Sequence, residues 1–227
     1  MLRRTDALDL LASGQKRRTP CAFTLVELTG VILVLSCLVL LGLPTFVRGN
    51  QKSKRANCQS NLRQLGLALQ AYSEANNDSL PGPLSSPLAR ASYDQTSTNQ
   101  LVWYLGGHLG FPAPGRTSRV VVQLLCPGHS TGRTIGQELT ATDYSVWKGK
   151  GGTAAPFGKT GGAAAAPLKV ETIRTLGRPE EETAVTDADK ANVNPTLPGW
   201  SALPCRPVHG NLRNVLFFDW HVGSNPQ

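Results

Sequence analysis

Charged and aromatic side chains are both scarce in this sequence. Asp, Glu, Lys and Arg make up 17% of its 227 residues, and Phe, Trp and Tyr only 6%; soluble globular proteins carry roughly 25% charge. A chain of this length holds one domain with attachments, or two small domains. So few aromatics exclude a large enzyme built on a thick multilayer core. Several motifs are missing too. No Cys-x-x-Cys pair occurs, which argues against structural zinc held by closely spaced thiolates. There is no HExxH and no GxSxG, and Gly158-Lys159-Thr160 lacks the upstream frame of a phosphate-binding loop. Acidic residues number 15 against 23 basic ones, a net charge of +8. That excess is too diffuse to indicate a nucleic-acid partner. Apolar residues, by contrast, make up 40% of the chain, which excludes a wholly disordered protein.

The apolar content is concentrated in one block, Phe23 to Val47, whose only charge is Glu27. Twenty-five helical residues measure about 37 Å, enough for a hydrocarbon core of roughly 30 Å. Residues 1–22 carry Arg3, Arg4, Lys16, Arg17 and Arg18 against Asp6 and Asp9. Basic residues before a span place that end in the cytoplasm. An anchor and a long-leader signal peptide both fit. The lack of a small-x-small cleavage site after Val47 favours the anchor. Glu27 is costly near the end of a membrane helix unless it is partnered. It either snorkels to the interface or pairs with a new α-amino group at Phe23 of a neighbouring copy.

Ala22-Phe23-Thr24-Leu25-Val26-Glu27, preceded by Lys16-Arg17-Arg18, resembles the cleavage and methylation signature of type IV prepilins and type II secretion pseudopilins. Ala22 stands where that family usually has Gly. The resemblance implies cutting between Ala22 and Phe23 by a prepilin peptidase that also N-methylates Phe23. It implies assembly roles for Glu27 and Pro44. The partners implied are other pilin or pseudopilin subunits, an inner-membrane secretion or pilus assembly platform, and the lipid bilayer. The location implied is the bacterial inner membrane, single-pass, with a cytoplasmic N-terminus and a periplasmic C-terminal domain, or an extracellular filament.

Pro44 removes one ladder hydrogen bond and predicts a kink in the helix. Beyond it, Cys58, Leu62, Leu65, Leu69 and Tyr72 are spaced 4, 3, 4, 3, one stripe of a helix. Residues 48–78 therefore read as an amphipathic continuation, ended by Asn76-Asn77-Asp78 and Leu80-Pro81-Gly82. Residues 79–227 read as β-rich, with candidate strands at Val120–Cys126, Asp143–Trp147, Leu168–Ile173, Ala184–Thr186 and Leu212–Phe218. The stretch 149–167 reads as a flexible loop. The expected fold is α+β and type IV pilin-like: a long N-terminal helix packed on a small antiparallel sheet.

The segment from His209 to Val222 is similar to the prepilin-associated H-x9-D-G segment abundant in planctomycete and verrucomicrobial proteins. His209 and Asp219 match its spacing, and Trp220 replaces its Gly. Asp219 and His221 would share one face of a continuing strand, so His209, Asp219 and His221 are candidates for a divalent ion. A His–Asp hydrogen bond that fixes the C-terminal loop is the simpler reading. Related pseudopilins hold Ca2+ in a C-terminal acidic loop, of which Asp187 and Asp189 are a faint echo; otherwise no cofactor is expected. Of the five cysteines, Cys21 would leave with the leader and Cys37 lies in the apolar block. Among Cys58, Cys126 and Cys205, a Cys58–Cys126 or Cys126–Cys205 bridge fits an oxidising compartment, and buried free thiols fit equally. The reading reached is a non-catalytic subunit of a pilus-like or pseudopilus filament. The alternative is a membrane-tethered periplasmic binding module that does not polymerise.

Overall fold

The computed structural model describes residues 24–129, 133, 136–146, 155–162 and 164–226; for residues 41–48 the helical backbone alone is described. The chain divides into two compact units, Met1–Phe46 and Val47–Gln227. Helix α1, Leu25–Ala75, supplies residues to both.

In the first unit, Thr24 caps α1: its Oγ1 accepts the Glu27 N–H at 3.2 Å, and its carbonyl accepts the Leu28 N–H at 3.1 Å. The described apolar side chains run from Leu25 to Leu40, all exposed. Among the described residues, no helix is long and apolar enough to cross a membrane. That finding corrects the expected span over residues 23–47. With the span go the single-pass inner-membrane placement, the bilayer as partner, and the peptidase, sibling subunits and assembly platform it was to engage. The leader 1–22 and the Ala22–Phe23 junction lie outside the described residues, as does the side chain of Pro44. The helical backbone itself continues through residue 44.

In the second unit the stripe packs as its spacing predicts. Cys58, Leu62, Leu65 and Leu69 are fully buried, and Tyr72 packs against the same core. Burying each leucine contributes about 2 kcal/mol. Gly66 brings α1 close to the sheet, since a Cβ there would lie 2.9 Å from Leu216 Cδ1. Arg55 Nη2 donates to Ser224 Oγ at 2.8 Å, which ties the same face of α1 to the last strand. The helix ends where Asn77 and Asp78 take positive φ and the Asp78 N–H donates to the Ser73 carbonyl at 2.9 Å.

Seven short strands follow among the described residues: β1 Leu88–Ala89, β2 Ser92–Tyr93, β3 Arg119–Val120, β4 Tyr144–Val146, β5 Thr183–Asp187, β6 Leu212–Phe217 and β7 Val222–Pro226. They form an antiparallel five-stranded sheet in the order β1-β4-β5-β6-β7 and a separate β2-β3 pair. Helices α2, Leu101–Leu105, and α3, Val170–Leu176, complete the unit. The class is α+β, but two sheets and no described membrane-length apolar helix replace the pilin-like arrangement expected.

Two expected strands are also corrected. Over 120–126 the strand stops at Val120, and Val122–Leu124 coil into a 3-10 turn. Asn61 Nδ2 from α1 donates to the carbonyls of Val122, at 3.2 Å, and Leu125, at 2.7 Å, so these acceptors need no strand partner. Over 168–173 the chain turns helical as α3. Asp78 accepts the first-turn N–H groups of Val170, on its carbonyl, and Glu171, on its carboxylate, both at 2.8 Å. Within the stretch expected to be a flexible loop, Phe157 is fully buried against the core, its ring 6.0 Å from that of Phe218. The β6–β7 turn closes without glycine. Trp220 adopts φ +71°, and Phe217 and His221 pair across it through a 3.0 Å hydrogen bond.

Candidate functional site

Cys58 begins the buried stripe of α1 and is joined by a disulfide to Cys126, which follows the 3-10 turn. Asn61, one helical turn past Cys58, holds that turn against α1. The Cys126 N–H donates to Asp143 Oδ2 at 2.7 Å, anchoring the same loop to the start of β4. His209 enters from the loop before β6. Its Nε2 lies 3.1 Å from Cys126 Sγ and 3.8 Å from Asp187 Oδ2 at the end of β5. Gly128 makes room for the imidazole, for a Cβ there would sit 2.7 Å from His209 Cε1.

Around this contact lies an enclosed group of ionisable side chains. Asp143 accepts hydrogen bonds from both terminal nitrogens of Arg133 and faces His129 Nδ1 at 3.3 Å. Asp187 Oδ2 accepts the Asn214 N–H at 2.8 Å, while Asp187 Oδ1 and His129 Nε2 are buried with no hydrogen-bond partner among the described residues. Burial pushes the Asp187 carboxyl up to about 6, against the opposing pull of the Asn214 amide and His129. Burial likewise pushes His209 down to about 4, helped by the charges of His129 and Arg55. For Asp143, burial acts upward, but the hydrogen bonds from His129 and Arg133 outweigh it and the carboxyl lies below its usual range. Burial raises the Tyr144 phenol well above its ordinary value, with Asp187 and Asp143 adding to the shift.

Two cavities adjoin the group. One, of 580 Å³, is lined by His129, Arg133, Thr142, Asp143, Leu203 and Pro204 among others. The second, of 490 Å³, reaches Cys126 past Asn57, Asn61 and Glu138, and shares Arg133 with the first.

The expected site residues divide sharply. Cys58, Cys126 and His209 come together; their ligand atoms all lie within 4.8 Å of one another. Cys205 is exposed and free. The expected grouping of His209 with Asp219 and His221 is corrected. Asp219 Oδ1 and His221 Nδ1 meet at 2.5 Å on the surface, where the His221 ring stacks on Phe217, while His209 is turned toward the disulfide. The calcium echo is corrected as well. Asp189 is held by Arg213 through bonds of 2.6 and 3.0 Å, and Asp187 faces Asn214 and His209. The cluster actually assembled is of sulfur and imidazole, donors that calcium does not favour. Glu27 is exposed on the first turn of α1. Sequence reading passed over His129, Arg133 and Asp143. The one local signal was Cys126-Pro127-Gly128-His129, a tight turn that sets an imidazole three residues after a cysteine.

A family model described as a protein of unknown function (DUF1559) matches residues 50–109. The match covers about a quarter of the chain. It includes Cys58 and α2 but neither Cys126 nor His209. No curated protein and no solved structure matches. The match begins at residue 50, beyond the prepilin-like hexamer, and the prepilin resemblance and the filament-subunit role drawn from it are set aside. What similarity there is to known families lies in the outer part of α1 and the segment that follows it, in a family described as of unknown function.

Proposed function

We propose that residues 47–227 form a non-catalytic module that binds a small polar ligand in the 580 Å³ cleft beside Arg133. The observation that carries this reading is the composition of the cleft. Arg133, His129 and Thr142 bring hydrogen-bonding groups to its lining, and Leu203, Pro204 and Val208 bring apolar surface. Such a cleft, with a few converging polar groups on a mostly preformed frame, is the usual form of a small-molecule site. Arg133 is already held by Asp143, so its guanidinium is oriented before a ligand arrives.

The test is a calorimetric screen of the full chain against neutral oligosaccharides and small carboxylates. A saturable one-to-one heat with one class is expected. It should weaken at least tenfold in Arg133→Ala and in Thr142→Val, with circular dichroism unchanged. Absence of saturable binding across both classes at millimolar concentration would sink the reading.

A further inference from the structure

We propose that opening the Cys58–Cys126 disulfide converts this crossing point into a site for one zinc-class divalent cation, held by Cys58 Sγ, Cys126 Sγ and His209 Nε2. Three observations carry it. The three donor atoms lie within 4.8 Å of one another. In a tetrahedral zinc site, metal–sulfur bonds of about 2.3 Å and metal–nitrogen bonds of about 2.0 Å put neighbouring donors roughly 3.3–3.8 Å apart. The 3.1 Å separation of Cys126 Sγ from His209 Nε2 is already near that spacing. Once the S–S bond is broken, the two sulfurs need only move apart by side-chain rotation.

The second observation is that the donors are fixed from outside the cluster. The Cys126 backbone is pinned by Asp143, and the turn before it by Asn61. The His209 side chain is 2% exposed and packed over Gly128. Donors held in place by neighbouring groups are what a built metal site requires. The third observation is Asp187. Its side chain is 2% exposed, and its Oδ2 lies 3.8 Å from His209 Nε2, the donor nitrogen. A buried carboxylate facing the donor nitrogen of the imidazole favours a cation there.

The chemistry balances. A dithiol attacks one sulfur of the disulfide; the Cys58–Cys126 S–S bond breaks and one forms within the reductant. Two electrons and two protons pass to Cys58 and Cys126. The cation then displaces the two thiol protons to solvent and takes the lone pair of His209 Nε2. Two thiolates and one divalent cation sum to zero charge, which suits a buried site. The 490 Å³ cavity that Cys126 lines offers the cation a route. In the disulfide form neither sulfur is a thiolate, so bridge and metal exclude each other. Each crosslinks α1 to the loop before β4, and the metal brings in the loop before β6 as well. This inference is independent of the ligand cleft.

The test uses the full chain reduced by a phosphine, which takes its oxygen from water and leaves the two hydrogens on the thiols. After anaerobic removal of the phosphine, Co2+ is titrated in. Expected are a thiolate-to-cobalt charge-transfer band saturating at one equivalent and bleached by Zn2+, and no such band in the disulfide form. His209→Gln should weaken Co2+ at least tenfold, and Cys58→Ser should abolish the band while calorimetric binding in the cleft persists. A reduced, folded protein without the band overturns the proposal, as does unchanged affinity in His209→Gln. So does a reduced chain that has lost its β-sheet signal, because the preassembled frame is then absent.

Discussion

Gly128 and His209 are matched in shape: the imidazole occupies the space that a side chain on residue 128 would fill. Gly128 is not in the left-handed region, so the demand for glycine comes from close approach alone. Gly128→Ala should push the ring away from Cys126 and cost about 1–3 kcal/mol of stability, as overpacking does. Urea denaturation of the oxidised protein measures the cost, and the His209 imidazole NMR shifts report the displacement. Stability and shifts both equal to the parent's would show that the ring has room to spare.

The disulfide closes a loop across a sequence separation of 68. Chain-entropy arguments put its contribution at about 4 kcal/mol. Cys126→Ala should therefore lower the midpoint of thermal unfolding sharply, whereas Cys205→Ser, at an exposed free thiol, should leave it within a degree or two. Similar losses from both would remove the bridge from its central role. Metal-free protein is the right comparison, since a bound cation would replace part of the crosslink.

The stripe on α1 is tested by two leucines two residues apart. Leu65 is fully buried and Leu67 is 67% exposed. Leu65→Asp should cost several kcal/mol, because it loses apolar burial and forces a carboxylate into the core. Leu67→Asp should stay within about 0.5 kcal/mol of the parent. Equal chemical denaturation midpoints for the two variants would contradict the packing of α1 on the sheet.

Asp187 and His209 should give opposite pH dependences that cancel in the parent. His209 falls from 6.5 unfolded to about 4 folded, so its contribution is fully present above pH 6.5 and is lost as pH falls toward 4. Asp187 rises from 3.8 to about 6, so its contribution is fully present below pH 3.8 and is lost as pH rises through 6. Each swing is on the order of 3 kcal/mol. Burial is the largest cause for both and neither is a cause of the other's shift, so each trend should survive removal of the other group. The disulfide form of Asp187→Asn should lose stability on acidification from pH 6.5 to 4. His209→Gln should lose stability as pH rises from 4 to 6. Denaturant midpoints across that range decide, and flat profiles in both variants would overturn the assignment.

Periodic elements were legible along the chain because their causes are local. The 4, 3, 4, 3 spacing from Cys58 to Tyr72 marks a helix face whatever lies opposite, and the face packs as read. The apolar run Leu212–Phe218 likewise became β6 and its turn. Where a partner decides, local reading failed. Val170–Leu176 is rich in β-branched residues, yet Asp78 caps it into a helix. The glycine- and alanine-rich stretch around Phe157 looks flexible by composition, but the Phe218 ring and backbone hydrogen bonds with Leu84 and Leu168 make it part of the core.

Residue pattern was enough for the α+β class, for the helix that carries Leu62, Leu65 and Leu69, and for strand β6. Tertiary structure alone decided the site. Cys58, Cys126, Asp187 and His209 stand far apart along the chain and obey no ligand spacing. They meet because α1 packs on β6 at Gly66, Asn61 holds the loop before β4, and Gly128 admits an imidazole. The same holds for Asp219 and His221, whose closeness to His209 in sequence did not bring them to it. Spacing along a helix or strand is set by backbone geometry and is written locally. Contacts between elements are set by packing and buried hydrogen bonds, which no short window of sequence contains.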